Sequence, residues 1–223
     1  MLIYLIPGVA ADQRLFEKLH LPGYELRNVL LPHSQKGATM KDYADAMESS
    51  IDKECEHALV GVSMGGMLAQ ELAPRTHPRK VIIISSWKGP DEMPMALKAL
   101  RGTHPERIVT RKFIERILPM LYWQMGAEND EDRRLIDDFL HAMPVEQIKH
   151  QLHASLNWSG PAMKFEPLVH LHGDNDHLMP ISDIKGAVPV KGGGHIMVFN
   201  RARELSSLLK EHLPGSDHET RGA

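Results

Sequence analysis

Three groups of residues in this chain have the types and spacing to do chemistry. Ser63 stands in Gly61-Val62-Ser63-Met64-Gly65-Gly66, and His195 closes Gly192-Gly193-Gly194-His195. Asp174 and Asp176 lie in His172-Gly173-Asp174-Asn175-Asp176-His177-Leu178-Met179-Pro180. A serine hydroxyl attacks a carbonyl only when a base takes its proton, and His195 is the base that its position and glycine context favour among the 14 histidines. An imidazole in that role needs a carboxylate to hold its tautomer and to stabilise the imidazolium. Asp176 is the first choice for that acid, Asp174 the alternative, and Asp91 a distant third. Gly-x-Ser-x-Gly by itself is weak, since chance places one in roughly every tenth chain of this length. Its context adds weight. An apolar run ends at Val62, and Met64, Met67, Leu68 and Leu72 follow at helical spacing. A strand-to-helix turn this sharp lifts the hydroxyl above a sheet, needs glycine where backbone approaches closely, and aims helix amides at the serine.

The elements that must position these groups are short apolar runs bounded by Gly, Pro or polar clusters: Leu2–Ile6, Leu26–Leu31, Ala58–Val62, Val81–Ser85, Leu168–Leu171 and Gly186–Val190. They do not alternate in polarity, which predicts strands covered on both faces, as in a parallel sheet. Pro189 cannot donate to a ladder and predicts that the last strand lies at an edge. Helical patterns fall between most strands. Asp12 is placed to cap a helix carrying Leu15, Phe16 and Leu19, and Met40, Tyr43, Ala44 and Met47 recur at helical spacing. Strand alternating with helix predicts a doubly wound α/β domain.

Residues 87–167 break that rhythm. The stretch has no strand pattern and reads as helices, clearest over Ile108–Tyr122, Asp130–Ala142 and Val145–Leu156, with Asn129 or Asp130 as a cap. The expected organisation is a core of residues 1–86 and 168–213, a helical lid of 87–167, and a disordered tail of 214–223 without apolar content. Met120, Leu121, Tyr122, Trp123 and Met125, with Met93, Met95 and Trp158, enrich the lid in methionine and aromatics. Most such residues pack a core; those facing a crevice would give an adaptable apolar pocket. Trp87, Tyr122, Trp123 and Trp158 are the candidate substrate-binding residues.

Composition excludes several classes. A formal charge of −3 offers no basic field to nucleic acid or anionic lipid. The single cysteine, Cys55, rules out an internal disulfide framework and suits a reducing compartment. Met1–Ile6 is too short for an export signal or a membrane span and reads as a buried strand, so a cytoplasmic chain is expected. No nucleotide-binding glycine pattern is present. His170-Leu171-His172-Gly173-Asp174 approaches a His-x-His-x-Asp-His zinc motif, but Asn175 stands where its last histidine should be, and neither metal nor cofactor is expected.

With their order Ser63, Asp176, His195, these segments resemble the α/β-hydrolase superfamily across nearly the whole chain. Gly61–Gly66 resembles its nucleophile elbow, Gly173–Pro180 its acid loop, and Gly193-Gly194-His195 its histidine loop. The resemblance implies a sheet of about six mostly parallel strands, the family's strands 3–8, with helices on both faces and a lid where family lids sit. It also implies an oxyanion hole made by the amides of Val9 and Met64, although Pro7 stands before Gly8 where relatives commonly carry histidine. The implied activity is hydrolysis of an ester or thioester of a small, moderately apolar molecule through an acyl-enzyme. Carbon–carbon bond hydrolysis, lyase or perhydrolase chemistry on the same triad, or a slow-turnover receptor, are the alternatives.

Overall fold

The computed structural model describes residues 1–215; the predicted tail beyond Gly215 lies outside them. Six strands form one sheet: β1 (Leu2–Ile6), β2 (Glu25–Asn28), β3 (His57–Val62), β4 (Lys80–Ile84), β5 (Leu168–Gly173) and β6 (Val188–Val190). Their order is β2-β1-β3-β4-β5-β6, and all five pairings are parallel. Winding reverses between β1 and β3, where Ile6 lies opposite Gly61. A crevice at the carboxyl ends of such neighbours is the usual ligand site of an open α/β sheet.

The unbroken apolar runs of β1 and β3 are buried along their whole length, as a sheet covered on both faces requires. One face packs Leu2, Tyr4, Ile6, Leu59, Val81 and Ile83 against α1 (Met40–Met47) and α2 (Met64–Thr76). The other packs Ile3, Leu5, Val60, Val62, Ile82 and Ile84 against α7 (Met197–Asn200) and α8 (Ala202–His212). The α1 stripe Met40, Tyr43, Ala44, Met47 is buried as its spacing predicts, and a capping box between Thr39 and Asp42 starts the helix.

The residues between β4 and β5 form α3 (Met95–Leu100), α4 (Arg111–Met125), α5 (Asp130–Ala142) and α6 (Val145–Asn157). They also pack against the sheet layers: Leu135 and Phe139 of α5 join the α7/α8 side, and Ala154 of α6 joins the α1/α2 side. A smaller cluster of Val109, Ile114 and Ile148 closes over Ala10, beside the loop that follows β1.

Several boundaries differ from the sequence reading. The second strand is Glu25–Asn28, not Leu26–Leu31; it is a largely exposed edge strand, covered less than its apolar letters suggest. The last strand loses Gly186, whose φ of +61° is left-handed and incompatible with a strand. Val188–Val190 does lie at an edge, where Pro189 forfeits nothing. Asp12 caps only a single 3₁₀ turn, Gln13–Phe16. The helix expected from Ile108 begins at Arg111 under a Thr110 cap, because Pro105–Ile108 forms its own 3₁₀ turn. No helix among the described residues is long and apolar enough to cross a membrane.

Candidate active site

Ser63 sits between β3 and α2 with φ +55° and ψ −122°, a strained conformation for a side chain with a Cβ. Neighbours hold it there. Its amide donates to the Ile84 carbonyl at 2.9 Å, and its own carbonyl accepts from Ser86 Oγ at 2.8 Å and the Gly66 amide at 2.9 Å. The elbow glycines are required by contact rather than by φ. A Cβ on Gly61 would lie 2.1 Å from the Gly65 carbonyl oxygen, and one on Gly65 would lie 2.0 Å from that of Ile6. The end of β1, the serine turn and the start of α2 are thus pressed together at backbone distance.

The loop after β1 reaches the same spot. A Cβ on Gly8 would fall 3.0 Å from Ser63 Cβ and 3.5 Å from Ser63 Oγ. Val9 follows, and Met64 is the first residue of α2; among the described residues neither amide donates to a protein acceptor. An unpaired amide at a helix N-terminus favours negative charge, so the Met64 N–H is chemically suited to an anion beside Ser63. Ala10, at φ +60°, is tied down by its amide donating to Gln151 Oε1 of α6 at 2.8 Å. Sequence reasoning missed Gln151, since a glutamine on a polar helix 141 residues away carries no local signal.

Asp176 and His195 are brought together on loops that follow β5 and β6. His195 Nδ1 donates to Asp176 Oδ2 at 2.8 Å, and the Asp176 side chain has no exposed surface. The other carboxylate oxygen accepts from the amides of Leu178 (3.0 Å) and Met179 (2.9 Å). Burial alone would raise the Asp176 carboxyl. The charge and hydrogen bond of His195, with the Met179 amide, outweigh it and hold the carboxyl below its ordinary range. Asp174 does something else: its Oδ1 accepts from the Gly192 amide at 2.6 Å and ties the acid loop to the histidine loop. Asp91 pairs with Lys185 on the surface. Among the described residues Ser63 Oγ makes no hydrogen bond to His195, a contact that often tightens only when substrate binds.

The histidine loop is built on glycine contacts. A Cβ on Gly173 would come within 2.0 Å of the Gly193 carbonyl oxygen, and one on Gly194 within 2.8 Å of Gly126 Cα. Gly126, at φ +72°, ends α4, and the Ile196 amide donates to Met125 at 3.0 Å while Asn200 Nδ2 donates to Gly126 at 2.9 Å. The end of α4 is therefore a wall of the histidine loop. Asp132 takes part as well: buried at the start of α5, it accepts from Asn200 Nδ2 and the Glu128 amide.

Behind the acid lies a polarised chain. Lys88 Nζ is 3.3 Å from His170 Nδ1; an ammonium only donates, so His170 Nε2 donates to His172 Nδ1 (3.1 Å) and His172 Nε2 to the Met179 carbonyl (2.7 Å). His170 and His172 share a face of β5, as their spacing requires. Burial first, then the neighbouring His172 and Lys88, push His170 down to about 2, and burial pushes His172 down as well.

The four aromatic candidates scatter. Trp87 and Trp158 are buried in the α1/α2-side core, and Trp158 Nε1 donates to Glu71. Tyr122 donates to Asp137, and burial with that bond pushes its hydroxyl up to about 12. Only Trp123 reaches the acid loop, stacking on His177 with ring centroids 4.3 Å apart. Two surface hollows, about 370 and 230 Å³, include none of Ser63, Asp176 or His195.

A family model for the alpha/beta hydrolase family matches residues 9–208. The chain belongs to that family. The sheet agrees: a lipase-esterase related protein from Clostridium acetobutylicum superposes with a TM-score of 0.71 at 15% identity, over 95% of this chain and 94% of that one. A thermophilic esterase from Thermogutta terrifontis gives 0.68 at 17%, over 95% and 88%. An extracellular alpha/beta-hydrolase from a Paenibacillus species gives 0.68 at 14%, over 96% and 100%. At these identities the likeness is one of fold. Comparison with curated proteins gave no match.

Proposed function

We propose that this alpha/beta hydrolase family member cleaves a carboxylic ester or thioester of a small, moderately apolar molecule through an acyl-enzyme on Ser63. The observation that carries the reading is the buried 2.8 Å bond between His195 Nδ1 and Asp176 Oδ2, on loops at the same end of the sheet as the strained serine turn. That bond leaves His195 Nε2 unprotonated and able to accept a proton. Ser63 Oγ attacks the carbonyl carbon as its proton passes to His195 Nε2, and the amides of Val9 and Met64 receive the oxyanion. Collapse breaks the bond to the leaving alkoxide or thiolate, which takes the proton from His195. Water, deprotonated by the same nitrogen, then attacks the acyl-enzyme and releases the acid. Asp176 stays ionised throughout and stabilises the imidazolium. No step calls for a metal or organic cofactor. The preference for uncharged groups rests on Trp123, which stacks on His177 of the acid loop.

The test is steady-state hydrolysis of a chromogenic ester series, short to long acyl, by wild type and Ser63→Ala. Saturable turnover that disappears in Ser63→Ala supports the assignment, and the best acyl length sizes the pocket. Equal activity in both proteins rejects it.

A further inference from the structure

Away from the serine turn, one side-chain cluster has no part in the reaction described above. His104 and Glu106 flank the start of the 3₁₀ turn Pro105–Ile108, and His153 faces them from α6. Glu106 Oε1 lies 3.0 Å from His104 Nδ1 and 3.2 Å from His153 Nδ1. One donor atom from each of the three residues falls within 4.8 Å of the others.

We propose that His104, Glu106 and His153 form a binding site for one divalent transition-metal ion, zinc by the chemistry of its donors, which fastens the Pro105–Ile108 turn to α6. Two imidazole nitrogens and one carboxylate oxygen are the ligand set that zinc takes when it keeps a fourth position for water. With metal–ligand distances of 2.0–2.2 Å, neighbouring ligands of a tetrahedral ion stand roughly 3.3–3.5 Å apart. The two oxygen–nitrogen edges need to open by a few tenths of an ångström, and the imidazoles, now stacked within 5° of parallel, must turn so that both nitrogens aim at the ion.

A second observation points the same way. The Glu106 side chain is 11% exposed, yet its Oε2 is buried without a hydrogen-bond partner, while Oε1 serves both imidazoles. A carboxylate oxygen removed from water and left unpaired is costly, and a cation beside it removes that cost. Two neutral imidazoles and one carboxylate also carry a single negative charge, which suits a divalent ion. Asn157 Nδ2 lies 3.3 Å from His153 Nδ1 and 2.9 Å from the His153 carbonyl; an ion on Nδ1 displaces the first contact and leaves the second. Entry is open, because the His104 side chain is 40% exposed and the 230 Å³ hollow is lined by His153 and Asn157. The ion would act as a staple and take no part in ester cleavage, so this inference stands apart from the proposed function.

The test uses the full chain without an affinity tag, dialysed against chelator and titrated with zinc chloride by calorimetry, with the visible spectrum of the cobalt-loaded protein as a second readout. Wild type is expected to bind with a four-coordinate cobalt spectrum, and His104→Ala and Glu106→Gln to weaken binding at least about tenfold. Metal-free His104→Ala loses its bond to Glu106 and its stacking on His153 and should unfold somewhat below wild type, and only wild type should gain thermal stability from zinc. No saturable binding, or equal affinity in wild type and both variants, overturns the proposal; the latter would place the ion on other histidines.

Discussion

Asp176→Asn tests the reading most sharply, because the backbone around this side chain dictates how an amide must sit. Asp176 Oδ1 accepts from the Leu178 and Met179 amides at 3.0 and 2.9 Å, so an asparagine must keep its oxygen there. Its NH₂ then faces His195 Nδ1, where the wild-type oxygen stood at 2.8 Å. Turning the amide round would set NH₂ against two N–H donors, Met179 buried and Leu178 partly so, forfeiting two hydrogen bonds at about 1–3 kcal/mol each. His195 must therefore offer a lone pair on Nδ1 and carry its proton on Nε2, where it cannot accept one from Ser63. A bias of about 2–6 kcal/mol toward that tautomer corresponds to roughly 30- to 30,000-fold less activity, at 1.36 kcal/mol per decade. The assay is kcat/KM on the best ester of the series, beside Asp174→Asn as control. Asp174 accepts only from the Gly192 amide, and asparagine keeps that accepting oxygen, so its variant should stay within about threefold of wild type. Retention of more than a tenth of wild-type activity by Asp176→Asn, or a larger loss in Asp174→Asn, would refute the reasoning.

Gly65→Ala drives a Cβ to 2.0 Å from the Ile6 carbonyl and 2.6 Å from that of Pro7, so β1 and the loop carrying Val9 must move. Denaturant titration should show a loss of about 1–3 kcal/mol or more, with kcat falling further than stability alone explains. Acid should weaken the fold through the buried histidines. His170 titrates near 2 folded and near 6.5 unfolded, so between those values the unfolded chain holds the extra proton and stability falls as pH drops. The slope from His170 alone is about 1.4 kcal/mol per pH unit below 6, and urea titrations at pH 7, 6 and 5 should show it flattened by that amount in His170→Leu. Parallel slopes in the two proteins would contradict a neutral buried His170. The depressed Asp176 carboxyl adds its own loss only lower, as pH falls below the ordinary aspartate range.

What the chain reveals on reading is what local pattern controls. The unbroken apolar runs predict the six strands and their parallel pairing, Pro189 predicts an edge, and glycines flanking Ser63 predict a turn where backbone meets backbone. Boundaries slipped where a single φ decides, as at Gly186, or where a strand such as Glu25–Asn28 has a neighbour on one side only. Asp176 is the first choice over Asp174 on sequence, although the two occupy the same turn and differ only in direction. The close packing of Gly173 on Gly193 sends Asp174 to the Gly192 amide and Asp176 to His195, 19 residues away. Tertiary structure alone decided that Gln151 holds the loop after β1, that Gly126 walls the histidine loop, and that Trp87 and Trp158 serve the core. Sequence periodicity reports which face of an element is apolar; it does not report which distant element will cover that face. That choice is made by packing between segments far apart in the chain, 74 residues for Gly126 and Asn200 and 141 for Ala10 and Gln151.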